Sequence, residues 1–173
     1  MSSRPVVNNS SPLIWLAKIG RLTLLKTLFG GIAIPRRVYE EAALRKQSAD
    51  AVLIGKAVEE GWIKTSEEKV EGSEALAGVT GIHLGEAEAI LRAQKLGTEL
   101  IIDEREASVT AQMFGVRPIG TVAVLLLALA RDQMTPQEFR GCLDGLLASG
   151  FWLTVDVYNK VLEEAELLSK RKN

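Results

Sequence analysis

Two residue types that often carry enzyme chemistry are almost missing from this chain. It has one cysteine, Cys142, and one histidine, His83. A lone cysteine excludes an intrachain disulfide and points to a reducing, intracellular compartment, the cytoplasm. Cys142 lies among Leu143, Leu146 and Leu147, which suits a small buried hydrophobe. His83 precedes a helical run and has no chemical partner within sequence reach, so it is expected to serve a loop or the core. Neither sign of charge dominates: 21 basic and 22 acidic residues leave a net charge of −1. Nothing pulls the whole chain toward nucleic acid, and any such binding needs a local patch. No charged region followed by a long apolar run opens the chain, so no signal peptide is expected. The longest apolar run, Val122 to Ala130, falls far short of the roughly 20 residues that span a bilayer. Gly30-Gly31 and Gly120-Thr121 lack the glycine spacing of either phosphate-binding loop, so a nucleotide cofactor has no support.

What is present is core-forming sequence. Of 173 residues, 47% are hydrophobic and 25% charged, enough for one packed domain of ordinary size. Short apolar runs at Pro5–Val7, Ile32–Ile34, Trp62–Thr65, Leu100–Ile102 and Val116–Ile119 are expected as strands. Leu100-Ile101-Ile102 does not alternate, as in a strand covered on both faces. Helical runs separate them. Ser11-Pro12 reads as N-cap and first helical residue, and Arg21–Phe29 as a second short helix. Pro35 opens another helix, Ser48 caps one over roughly 49–60, and Leu84–Leu96 ends at Gly97. Val122–Arg131, Pro136–Leu147 and Val155–Ser169 follow, with Phe151-Trp152-Leu153 as a short edge segment. Residues 66–81, rich in Glu and Gly, are expected to form an irregular exposed connection. Strands alternating with helices argue for an α/β fold with a mainly parallel sheet of about five strands. The chain forms one domain, with its core over about 5–131 and a C-terminal helical extension over about 135–173.

Acids gather beside the expected strand ends and helix starts: Glu40, Glu41, Glu86, Glu88, Asp103 and Glu104. Ligands of open parallel sheets collect at the carboxyl ends of strands. Hard cations such as Mg²⁺ and Mn²⁺ are held by several carboxylate oxygens. Such an ion activates water and offsets charge on a phosphodiester. Structural roles compete. Glu86 and Glu88 suit the first turn of a helix, Asp103 with Glu106 suits a capping box, and Glu40 and Glu41 suit solvent. Spacing alone favours these structural roles. Arg36, Arg37, Arg45 and Lys46 are candidate phosphate contacts, against the competing account of a solvated helix face.

At these residues a resemblance enters. Asn9-Ser10-Ser11-Pro12-Leu13-Ile14 resembles the first motif of PIN domains, usually Asp-Thr-Ser followed by an apolar pair. Ile34-Pro35 with Val38-Tyr39-Glu40-Glu41-Ala42 resembles the second, Gly85-Glu86-Ala87-Glu88-Ala89-Ile90 the third. Ile101-Ile102-Asp103-Glu104 with Ala107 resembles the fourth, and Ile119-Gly120-Thr121 the closing strand and turn. The matches run in order from about Val6 to Leu125, and the branch they resemble is a group of prokaryotic predicted nucleases similar to VapC-type toxins.

The resemblance implies a three-layer α/β/α fold and metal-dependent cleavage of RNA, as in toxins of toxin–antitoxin pairs. It implies that Glu41, Glu86 and Asp103, with Glu104 beside them, hold Mg²⁺ or Mn²⁺. Ser10 or Ser11 then orients a ligand or water; beside the resemblance, Ser10, Arg36 and Arg37 are the candidate nucleic-acid contacts. A homodimer and a small antitoxin protein are the implied partners, with no membrane. The apolar residues of and around the C-terminal helices, from Leu125 to Trp152, are the expected dimer surface. The departure is Asn9, which keeps a carbonyl oxygen where most catalytic members carry a carboxylate; restoring it by Asn9→Asp is expected to tighten Mn²⁺. Asn9 also opens the alternative of a PIN fold without catalysis, serving as a binding module. An unrelated flavodoxin-like signalling domain is disfavoured, because no strand after Asp103 ends in Lys.

Overall fold

The short apolar runs become strands of one sheet, and the glycines between them end the helices. The structure is a computed structural model describing residues 4–44 and 47–170. Arg45 and Lys46, two of the candidate phosphate contacts, lie outside the described residues. The strands are β1 (Val6–Asn8), β2 (Ile32–Pro35), β3 (Ile63–Ser66), β4 (Leu100–Ile101) and β5 (Pro118–Ile119). All pair in parallel, in the order β3-β2-β1-β4-β5. Val7 pairs with Ala33 on one side and Leu100 on the other, so β1 is central. The chain moves outward from β1 in one direction through β2 and β3, then in the other through β4 and β5. The reversal between β1 and β4 is the topological switch point, where a crevice opens beyond the strand ends.

Helices cover both faces, giving the three-layer α/β/α arrangement. The first face carries α1 (Ser10–Lys18), α2 (Thr23–Phe29), α4 (Ala49–Glu59), α8 (Thr121–Ala130), α9 (Pro136–Ala148) and α10 (Val155–Lys170). The second carries α5 (Ser73–Thr80), α6 (Leu84–Leu96) and α7 (Arg105–Met113). Strand residues divide between them. Val6 and Ile101 enter the first core, and Val7, Leu100 and Ile102 the second. This is why the Leu100–Ile102 run is continuously apolar. The first core is built largely of Leu and Ile. The second depends on Ala87, Ala89, Ala93, Ala107 and Ala111, whose small side chains let α6 and α7 lie close to the sheet.

Several sequence expectations are corrected. Residues 66–81 are not irregular throughout: α5 forms there, between Gly72 and Gly81, both in the left-handed region at φ 84° and 76°. Its Leu76 and Ala77 pack on the second core, and that contact supplies the stability its composition lacks. Helix α1 begins at Ser10 with Asn9 at its N-cap, not Ser11, and no side chain caps it. Ser48 stands at the N-cap of α4 but makes no cap bond; its hydroxyl is buried without a partner. Phe151-Trp152-Leu153 forms no strand; Phe151 packs edge-on against Trp15 at 5.5 Å, and Trp152 is 80% exposed. Most of the apolar surplus of the C-terminal helices is absorbed within the chain. Leu125, Leu143 and Leu146 are fully buried, because α10 folds back over α8 and α9.

Pro35 ends β2 and leads into α3 (Arg36–Tyr39), which tightens no further but widens into a π-helical turn, Glu40–Leu44. A π turn rotates the residues after it relative to an α-helix, and such turns recur at functional sites. Here it carries Glu41.

Candidate metal centre at the switch point

Three chain segments meet beyond the carboxyl ends of β1, β2 and β4. Asn9 follows the last residue of β1, and Ser10 and Ser11 open α1. Both hydroxyls turn away from helix capping toward acids. Ser10 Oγ donates to Glu41 Oε2 at 3.2 Å, and Ser11 Oγ donates to Glu104 Oε1. Asn9 Nδ2 donates to Glu104 Oε2 at 3.2 Å. Glu104 is therefore held at both carboxylate oxygens by the first motif. Asn9 itself is only 2% exposed, and its Oδ1 has no partner at all. A buried carbonyl oxygen without a donor is costly, on the order of 1–3 kcal/mol.

Helix α6 supplies Glu86, 6% exposed. Glu86 lies in the first turn of α6, as expected, and its Oε2 also accepts the His83 backbone N–H at 2.8 Å, which caps the helix. Burial nevertheless pushes its pKa up; the His83 bond opposes this, and the charges of Glu104 and then Glu41 add to it. Like charges near a carboxylate disfavour its ionised form. Gly85 admits Glu41 to the start of α6. A Cβ at Gly85 would stand 3.3 Å from Glu41 Oε1 and 3.4 Å from Oε2, so a side chain there would press on the carboxylate.

Asp103 is differently placed. Its Oδ1 accepts the Thr121 backbone N–H at 2.7 Å and its Oδ2 the Thr121 hydroxyl at 2.7 Å. The capping box expected with Glu106 does not form; α7 has Glu104 at its N-cap and no side-chain cap bond. Burial raises Asp103 to about 6 against the opposing Thr121 bonds, and the Glu104 charge adds to the rise. Gly120 leaves room for this contact, since a Cβ there would stand 3.4 Å from Asp103 Oδ1.

The arginines are spoken for. Arg36 pairs with Glu67 at 2.9 Å and Glu40 at 3.3 Å, so Glu40 does not simply face solvent. Arg37 pairs with Glu88 at 3.4 Å. These residues line a cleft beside Leu84 at the start of α6, adjacent to the acid cluster. His83, the N-cap residue of α6, contributes its backbone, and Cys142 is buried in the core away from the acids. Sequence reasoning singled out the acids but gave no role to Thr121 or Gly85. The signal for each was present: a Gly-Thr pair at a strand exit, and a glycine directly before a buried acid.

Among the described residues, no group of three acidic, histidine or cysteine side chains is placed to hold a metal ion. The donor types are nonetheless those a hard divalent cation takes. Glu41, Glu86 and Glu104 offer carboxylate oxygens, and Asn9 Oδ1 offers a neutral oxygen that nothing in the protein satisfies. Oxygen-only donors without sulfur or imidazole suit Mg²⁺ and Mn²⁺.

A PIN-domain family model matches residues 5–167, nearly the whole chain. The chain belongs to the PIN-domain family, and its five-stranded parallel sheet with helices on both faces is consistent with that family's nuclease-like fold. A comparison with curated proteins found no match. Among the described residues no helix is long and apolar enough to cross a membrane.

Proposed function

We propose that this protein is a divalent-metal-dependent endoribonuclease, working in the cytoplasm as the toxin of a toxin–antitoxin pair. The observation that carries the reading is the buried, unpartnered Oδ1 of Asn9, whose amide nitrogen bonds an acid at the switch point of a PIN fold. A bound Mg²⁺ or Mn²⁺ supplies Lewis acidity, activating water and offsetting charge on the scissile phosphodiester. Glu41, Glu86 and Glu104 hold the negative charge that attracts the ion. Ser10 and Ser11 fix two of those carboxylates in place. Asp103, bound by Thr121, anchors the turn from which Glu104 projects. Arg36 and Arg37 reach single-stranded RNA when their acid partners exchange for phosphate. The toxin role adds two partners: a small antitoxin protein and a second copy of the chain. The dimer contact is the exposed apolar patch of Trp152, Val155 and Val157.

A second reading, a PIN fold that binds without cleaving, draws on two facts: Asn9 is neutral, and Arg36 and Arg37 are both ion-paired with acids. One experiment separates the two. Single-stranded RNA is incubated with wild type and with Glu86→Gln in Mn²⁺, with a chelator control. The nuclease reading expects cleavage by wild type, and a loss of about a hundredfold or more in the variant, the scale of removing one preorganised charge-stabilising group. It also expects millimolar Mg²⁺ or Mn²⁺ to raise the melting temperature, by mass action on the folded state. Metal-independent binding with no cleavage would establish the binding module instead.

A further inference from the structure

Helix α6 brings Glu86 to the switch point, and two cations stand farther along it. Arg92 comes six residues after Glu86, about 9 Å along the axis at 1.5 Å per residue. Lys95 follows three residues later, on the same side of the helix. The Arg92 side chain is only 13% exposed, against 40% for Arg37. A guanidinium stays charged and carries five N–H donors, so its burial demands partners. Among the described residues its polar contacts run to one residue, Glu68, and both are long. Nη2 lies 3.5 Å from the Glu68 carbonyl oxygen and 3.6 Å from Oε2. Nε is buried and bonds nothing. Lys95 Nζ donates to the other carboxylate oxygen of Glu68 at 2.9 Å.

The Glu68 carboxylate therefore bridges two cations. The Lys95 bond and charge, with Arg92 adding, hold its pKa below the ordinary value. Glu68 is nonetheless 62% exposed, on the connection between β3 and α5. Two oxygens set between an Arg and a Lys are what a phosphate also presents. The three side chains line a pocket of about 380 Å³, with Val70 and Leu91 beside them. Glu68 also lines the cleft of Arg36 and Arg37, so the two hollows adjoin. The preceding residue, Glu67, pairs with Arg36 at 2.9 Å. Two consecutive acids of one connection thus cover a basic row that begins next to the acid cluster.

We propose that Arg92 and Lys95 form a phosphate-binding site for the backbone of single-stranded RNA, and that Glu68 holds the place of the phosphate in the free protein. This rests on the reading of the chain as a PIN protein that acts on RNA. It adds the course of the strand, from the acid cluster past Arg36 and Arg37 and along α6. The exchange is easy on the protein side, because an exposed ion pair is weak in water, and a phosphate supplies Arg92 with the bonds that Glu68 makes only at long range. The competing account is an ion pair that merely pins the connection to α6.

The test is fluorescence anisotropy of a labelled single-stranded RNA oligonucleotide, in chelator so that nothing is cut. Glu68→Gln keeps the size of an exposed side chain, and its melting temperature checks that the fold is retained. It is expected to bind the RNA about three- to tenfold more tightly at low salt. Its plot of log affinity against log salt is expected to steepen by about 0.7, the scale of one more phosphate contact on a single strand. Adding Lys95→Gln to Glu68→Gln is expected to return affinity and slope to the wild-type values or below. Glu99→Gln releases Arg117 at the other end of the sheet and makes the same change in net charge. It is expected to alter affinity by less than about twofold, since distant charges are screened. Equal gains from Glu68→Gln and Glu99→Gln would reduce the effect to net charge and overturn the site. A Glu68→Gln protein that binds no better than wild type, a gain that survives Lys95→Gln, or no RNA binding by any of these proteins would overturn it as well. The expected gain in a protein that never cuts RNA in Mn²⁺ would uphold the site and remove the nuclease reading.

Discussion

Asp103 and Glu104 are neighbours in the chain, but Asp103 turns to the Thr121 side of the site, here called closed, and Glu104 to the Asn9 side, here called open. Asp103 has both oxygens bonded by one residue, Thr121. Glu104 is held by Asn9 and Ser11 across the sheet, beside a buried oxygen that has no partner. The difference teaches that two adjacent acids at one strand end can be tied to different parts of the fold, Asp103 to the start of α8 and Glu104 to the start of α1. Both acids have their oxygens hydrogen-bonded; what sets Glu104 apart is that one of its donors, the Asn9 amide, carries a buried oxygen without a partner.

The contrast breaks most visibly at Thr121. Thr121→Val removes the hydroxyl that donates to a half-buried carboxylate, and is expected to lower stability by about 1.5–3 kcal/mol at pH 7.5. Denaturant unfolding of the metal-free protein measures it. A change below a few tenths of a kcal/mol would show that the closed side is not an anchor.

Asp103→Asn sharpens the same side through pH. The folded-state pKa of Asp103 is raised from the ordinary 3.8 to about 6. A raised carboxylate contributes stability that is fully present below about 3.8 and is lost as pH rises through about 6. Metal-free wild type is therefore expected to lose stability relative to Asp103→Asn between pH 4 and pH 6, with a constant difference above that range. Glu86 is also raised and adds a fall of the same sign to both proteins. Parallel stability profiles for wild type and Asp103→Asn would contradict the shift.

A smaller effect is expected on the open side. Gly85→Ala places a methyl against Glu41 without backbone strain, since no left-handed φ is required at Gly85. Mn²⁺ affinity is expected to fall about three- to tenfold, while helix propensity raises metal-free stability by up to about 1 kcal/mol. An unchanged affinity would remove Glu41 from the site. The smallest change expected is in assembly. Light scattering is expected to give a dimer that Trp152→Ser weakens by about tenfold, the scale of one buried aromatic anchor. A strict monomer at micromolar concentration would refute the dimer.

Much of the fold was legible because each device is local. Apolar runs, glycine stops and the non-alternating Leu100–Ile102 run mark elements that the sheet then uses. Helix α5 escaped because its apolar signal is thin: Leu76 and Ala77 are only partly buried, and glycines flank it on both sides. The π turn left no trace, since a change of hydrogen-bond register alters no residue type. In the site, the acids were visible as types and positions, but their partners were not. Which of Asp103 and Glu104 turns toward Thr121 depends on the turn after β4, and which atom of Asn9 lies orphaned depends on that choice. The serines were seen as helix caps because their partners, Glu41 and Glu104, are 31 and 93 residues away.

The central claim is that the open side of the cluster holds a divalent cation. Crystals soaked in Mn²⁺ and measured at the manganese absorption edge test it most directly. The account expects an anomalous peak bounded by Asn9 Oδ1 and the carboxylates of Glu86 and Glu104. No peak there at saturating Mn²⁺, or a peak only elsewhere on the protein, would contradict it.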